Sequence, residues 1–123
     1  MIAAADSRLR FARSLRELAD RSSEIELRTA LSRSYYSIYH ATKALLPRVD
    51  HHNIAEELGK LNQQAGLDIE ILQKLRSQAD YDPQFVEREF DGSLELFRME
   101  VQERLEQGRR IFRWLIDEIG RKE

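Results

Sequence analysis

The stretch that decides the fold runs from Glu24 to Leu46, EIELRTALSRSYYSIYHATKALL. At about 100° per residue, Leu27, Leu31, Ser34, Ile38, Ala41 and Leu45 fall on one face, the stripe expected of a helix packed on a core. Thr29, Arg33, Tyr36, His40 and Lys43 fall on the opposite face, so His40 lies two turns beyond Arg33 with Tyr36 between them. Tyr35, Tyr39 and Leu46 make a third, apolar-aromatic sector. A helix with apolar groups on nearly every side is covered on more than one side, either at the centre of its bundle or by a second copy of the chain. Pro47 stops it, because proline donates no backbone bond and restricts the residue before it.

Working outward, helical spacing of Leu9, Phe11, Ala12, Leu15 and Leu18 predicts a helix over about residues 6–20, with Asp6 or Ser7 as its N-cap. A short helix follows in HNIAEELGKLNQQAG, His52 to Gly66, with Ile54, Leu58 and Leu61 on one side and Gly66 as its stop. Asp68 caps the next, DIEILQKLRSQADY, whose apolar face is Ile71, Leu72, Leu75 and Ala79 and which Pro83 ends. Residues 81–92 read as a connecting loop. Ser93 then caps a long helix with a stripe of Leu94, Phe97, Val101, Leu105, Phe112, Leu115 and Ile119, and Gly108 within it as a close-packing point. No segment alternates like a strand. The expectation is an all-α, antiparallel bundle of four to five helices, residues 1–123 forming one domain.

Composition narrows the chemistry. The 123 residues suffice for one core and not for two. No apolar run approaches the roughly 20 residues that span a bilayer, and MIAAADSRLRFARS lacks the apolar length of a signal peptide, which predicts a cytoplasmic protein that avoids membranes. Without cysteine there is no disulfide, thiolate nucleophile or Cys-type zinc site. No phosphate-cradling glycine loop or metal-binding motif occurs, so neither a metal nor a cofactor is expected. A net charge of −2 gives no global attraction to nucleic acid, and such binding would need a local patch. The arginines of the first helix, Arg8, Arg10, Arg13, Arg16 and Arg21, point several ways. Arg109, Arg110 and Arg113 are clustered, yet Glu103 and Glu106 lie one turn away.

The candidate site residues come from three places: Arg33, Tyr36 and His40 on the second helix, His51 and His52 before the third, and Arg76, Asp80 and Tyr81 in RSQADYDP, residues 76–83. Arg76 and Asp80 are spaced as an i, i+4 pair on one helix face. His51 and His52 stand near a helix start, where a protonated imidazole opposes the dipole, so they titrate near neutral pH or are simply solvated.

ALSRSYYSIYHATKALL resembles the signature helix of the HEPN superfamily, with its tyrosine pair followed by an aromatic, a histidine and a small-residue segment ending in leucines. RSQADYDP is similar to the Arg, Ala, Asp, Tyr ending that one prokaryotic HEPN branch carries on its fourth helix, and DHHNIAEELGKL sits where that branch has a His-containing loop entering a short helix. The resemblance implies a bundle that dimerises and, for many members, metal-independent RNA cleavage at a site shared by two copies. In that chemistry His moves a proton and Arg stabilises charge on the phosphate. Arg76 matches the family arginine, but Asp80 or Tyr81 stands where the histidine is expected. A carboxylate is a weak base near neutral pH and an unperturbed phenol titrates near pH 10. His40, His51 or His52 would have to supply the imidazole.

Two function classes stay open. One is a HEPN-type module that binds RNA or nucleotide phosphate, in a toxin and antitoxin-like or defence system whose other half is often a small nucleotidyltransferase, with weak or absent ribonuclease activity. The other is a non-catalytic scaffold that dimerises and holds a partner. Both carry the same expectation for light scattering, a homodimer at micromolar concentration; a monomer throughout that range counts against it.

Overall fold

The computed structural model describes residues 2–18 and 24–122. Among these described residues there are six helices rather than the expected four to five: α1 (Ile2–Leu18), α2 (Glu24–Leu45), α3 (Ile54–Leu61), α4 (Gln63–Tyr81), α5 (Phe85–Phe90) and α6 (Leu94–Lys122). No strand occurs among the described residues. Arg21 and the side chains of Leu15, Arg16 and Leu18 lie outside the described residues.

The core is built on α2. Its stripe of Leu27, Leu31, Ser34, Ile38, Ala41 and Leu45 is buried in full, and Ala30, Tyr35, Ser37 and Thr42 join it. α1, α4 and α6 all pack against this helix, so most of its many-sided apolar character is covered within one chain, with Tyr36, Tyr39 and Leu46 left half-buried. The buried hydroxyls close on their own helix, Ser37 donating to the Ser34 carbonyl and Thr42 to that of Ile38, each at 2.7 Å. Those bonds let polar residues sit in the interior without an unpaired group, and their small size lets neighbouring helices approach.

The long helix α6 buries Phe97, Val101, Leu105, Gly108, Ile111, Leu115 and Ile119 at steps of four or three. Ile111 takes the inward position expected of Phe112, which is only partly buried, and Leu94 is exposed. On its outer face Glu95–Arg98, Glu100–Arg104, Glu106–Arg109 and Glu118–Arg121 pair at one-turn spacing. Such pairs add a few tenths of a kcal/mol each and leave Arg109 committed to its own helix.

Several expected boundaries move. α1 begins at Ile2, so Asp6 and Ser7 lie inside it rather than capping it. The fourth helix begins at Gln63 rather than after Asp68, because Asn62 is extended (φ −154°, ψ 102°) and its side chain accepts from the Ala65 N–H. The Asn62 N–H also closes onto the Leu58 carbonyl, so one residue ends α3 and starts α4. Asp68 is instead buried one turn inside α4, where the Gln64 amide donates to it at 2.9 Å. Ile71 lies on the exposed side of α4 rather than in its apolar face. Residues 81–92, expected to be loop, contain α5. This helix is six residues long, too short to show a period, and Phe85 and Phe90 pack it onto Phe97 of α6. Asp91 in the left-handed region (φ 52°) and Gly92 (φ 72°) then turn the chain into α6, whose Leu96 N–H is capped by the Ser93 hydroxyl.

Gly66 does not stop α3; it sits in the first turns of α4, where the backbones of α3 and α4 meet. A Cβ there would lie 2.5 Å from the Gly59 Cα and 2.8 Å from the Ala55 carbonyl oxygen, and neither backbone atom can rotate away. At Gly59 the nearest atom would be 3.7 Å away, an ordinary contact. The two glycines thus respond oppositely to the same change. Gly66→Ala is expected to destabilise by about 1–3 kcal/mol or more through overpacking, whereas Gly59→Ala gains up to about 1 kcal/mol of helix propensity. Urea denaturation of the two variants measures both, and equal effects would refute the close approach.

Candidate functional site

The turn between α2 and α3 is set by Asp50, whose carboxylate accepts from the N–H groups of His52 at 2.8 Å and Asn53 at 3.0 Å. Those two bonds hold the Asp50 carboxyl below the usual carboxylate range, the Asn53 bond contributing most. Asn53 answers by accepting from the Asp50 N–H, and Lys43 of α2 donates to the Val49 carbonyl at 2.7 Å. The turn so fixed lays the His51 ring flat on Tyr39, with centroids 4.0 Å apart and planes 15° from parallel.

From there the contacts run inward. Tyr35 has no exposed surface, yet its hydroxyl lies 2.7 Å from His51 Nδ1. Gln73 of α4 donates from Nε2 to that hydroxyl at 3.1 Å and to the His51 carbonyl at 2.8 Å. Arg76, one turn further along α4, lays its guanidinium over the Tyr35 ring at 4.9 Å and the Tyr36 ring at 5.4 Å. A cation over two aromatic faces away from water is held by about 1–2 kcal/mol. Its Nη1 reaches Asp80 at 3.3 Å, while its Nε is buried without a hydrogen-bond acceptor. Arg76 is 9% exposed, so this is a cation built into the wall rather than one standing in solvent.

The backbone under Arg76 and Asp80 is fixed from α2. Arg28 donates to the carbonyls of Ala79 at 2.5 Å, Asp82 at 3.2 Å and Pro83 at 3.5 Å, supplying donors and positive charge where α4 leaves its last carbonyls open. Arg88 of α5 pairs with Asp82 in the same turn.

The predicted residues therefore divide among separate places. Arg76, Asp80, Tyr36 and His51 come together. His40 belongs to another cleft of about 240 Å³, lined also by Phe11, Ser32, Arg33 and Tyr36. There Arg8 donates to His40 Nδ1 at 3.4 Å and Phe11 packs edge-on against the ring at 4.8 Å. Tyr36 borders both places. His52 is exposed and lines a groove of about 400 Å³ between α3 and α4. Tyr81, 78% exposed, joins neither. Tyr35 and Tyr39, read from the sequence only as an apolar-aromatic sector, and Gln73 were not among the candidate site residues. The available signal was spacing: Gln73 precedes Arg76 by three residues and so shares its helix face. Among the described residues no group of three or more His, Cys, Asp or Glu is placed to hold a metal ion, and no helix is long and apolar enough to cross a membrane.

Comparison with family models, curated proteins and solved structures returns no match to this chain.

Both histidines are harder to protonate than free imidazole, His51 through burial and then the Arg76 charge, His40 through burial and then the Arg8 charge. Their folded pKa values lie below the unfolded value near 6.5, so the unfolded chain binds more protons as the pH falls past that value. Stability present at pH 7 is lost progressively below about pH 6.5. Urea midpoints at pH 7 and pH 5 should differ in that direction, and the difference should shrink in a His40→Gln, His51→Gln double variant. Equal midpoints in the wild type would contradict the assignment.

Proposed function

We propose that this protein is a HEPN-type module that contacts RNA or nucleotide phosphate through the Arg76 and His51 cluster, with weak or absent ribonuclease activity of its own. The observation that supports the reading is that the Arg76 guanidinium and the His51 imidazole both pack on Tyr35, so a cation and a proton-carrying ring share one wall. Arginine forks onto two phosphate oxygens and is charged at every accessible pH. Asp80 competes for it, which makes the phosphate affinity modest. On this reading the chain works in the cytoplasm as a homodimer within a toxin and antitoxin-like or defence pair, with a small nucleotidyltransferase as the partner protein.

A second reading, the non-catalytic dimerisation or partner-binding scaffold, is favoured by the burial of Arg76. A guanidinium stacked on two tyrosines and paired along its own helix also serves simply to tie α4 to α2.

The two readings part in solution. Fluorescence anisotropy with a short single-stranded RNA should give weak, salt-sensitive binding that falls about tenfold in Arg76→Ala and little in His40→Ala, with thermal melting confirming that each variant is folded. Cleavage without added metal should be slow or undetectable in the wild type. No binding by the folded wild type selects the scaffold. Vigorous cleavage lost in both Arg76→Ala and His51→Ala overturns the weak-activity reading.

A further inference from the structure

We infer that Tyr35, backed by Gln73, is a positioning residue that fixes His51 with its outer nitrogen protonated, so that the site meets an anionic oxygen with an N–H donor rather than a base. The count of donatable protons around Tyr35 fixes the ring form. Gln73 Nε2 lies 2.8 Å from a backbone carbonyl, that of His51, which can only accept; this identifies Nε2 as the amide nitrogen, with two protons to give. Its second proton goes to the Tyr35 oxygen at 3.1 Å. The tyrosine oxygen already accepts there, its residue is wholly buried, and its own proton needs a partner. His51 Nδ1, 2.7 Å away, is that partner. A nitrogen that accepts carries no proton, so the neutral ring holds its proton on Nε2. With Nδ1 turned in to Tyr35 on an exposed residue, Nε2 is the nitrogen left for a ligand.

The groups around the ring agree in sign. Tyr35, Tyr36 and Tyr39 of α2 offer aromatic surface, Arg76 of α4 and Lys43 of α2 oppose a second proton, His52 does the same, and Asp50 alone favours it. Burial raises the Tyr35 phenol well above its ordinary value, which keeps it a donor throughout the neutral range. A general base must present a bare nitrogen to the hydroxyl it deprotonates, and His51 presents a protonated one. The ligand class that suits an N–H donor beside an arginine is a phosphate oxygen. This step rests on the phosphate-binding reading above, whereas the locked ring does not depend on any ligand.

The test is nitrogen NMR of histidine-labelled protein at pH 7.5, first alone and then with a short single-stranded RNA. In the free wild type, His51 Nδ1 should resonate as an unprotonated nitrogen and Nε2 as a protonated one. Tyr35→Phe should give a mixture of the two ring forms and move the His51 titration midpoint upward, with Gln73→Ala shifting it the same way by less. A bare Nε2 in the wild type, or ring forms unchanged in Tyr35→Phe, overturns the inference whatever RNA does. Added RNA should shift the Nε2 resonance. A protonated Nε2 that ignores RNA leaves the lock intact but overturns its role at a phosphate and the binding reading with it.

Discussion

Burying a tyrosine whole obliges its hydroxyl to find partners, and in this protein that obligation organises three segments at once. Tyr35 belongs to the central helix, its proton goes to the α2–α3 turn, and its lone pair is met from α4. An unsatisfied buried hydroxyl would cost about 1–3 kcal/mol, so the turn and α4 are held in register by a requirement rather than by general stickiness. Arg76 closes the arrangement from above, its charge tolerated in the interior because two ring faces and a carboxylate stand in for water.

The core of α2 was legible in the sequence because its period is long and its face is written in residue type: every member of the expected stripe, from Leu27 to Leu45, is buried. The same is true of α6 from Phe97 to Ile119, where the one shift, Ile111 for Phe112, follows from the drift of a helical period over a long span. What escaped were features decided by single residues or by distant partners. α5 is too short to carry a period, and the proline and glycine around it read as loop. Asn62 and Gly66 stand four residues apart, and glycine near an apparent helix end reads as a stop unless a neighbouring backbone is known to press on it.

The candidate site was legible in its parts and not in its assembly. Arg76 with Asp80 followed from spacing along one helix, and they do pair. That His51, rather than His40 or His52, reaches the ring under Arg76 depends on a turn whose geometry Asp50 dictates and on contacts 16 and 22 residues apart in the chain. Helical face alone could not separate His40 from Arg76, because Tyr36 lies between them and touches both. Nothing in the sequence tied Arg28 to the end of α4, since its partners there are backbone carbonyls that every residue possesses.

The one-residue link at Asn62 bears on how the chain reaches this state. Bringing two helices together normally requires closing a loop, and that entropic cost grows with loop length. Between α3 and α4 there is almost no loop to close, and the glycines that let the backbones touch are seven positions apart. The contacts of this hairpin are therefore nearly local, whereas α2 must find α6 across half the chain. Low contact order favours rapid formation. The α3–α4 hairpin carries Gln73, Arg76 and Asp80 on one piece held together by near-local contacts, and that piece is the surface on which the tyrosines of α2 pack.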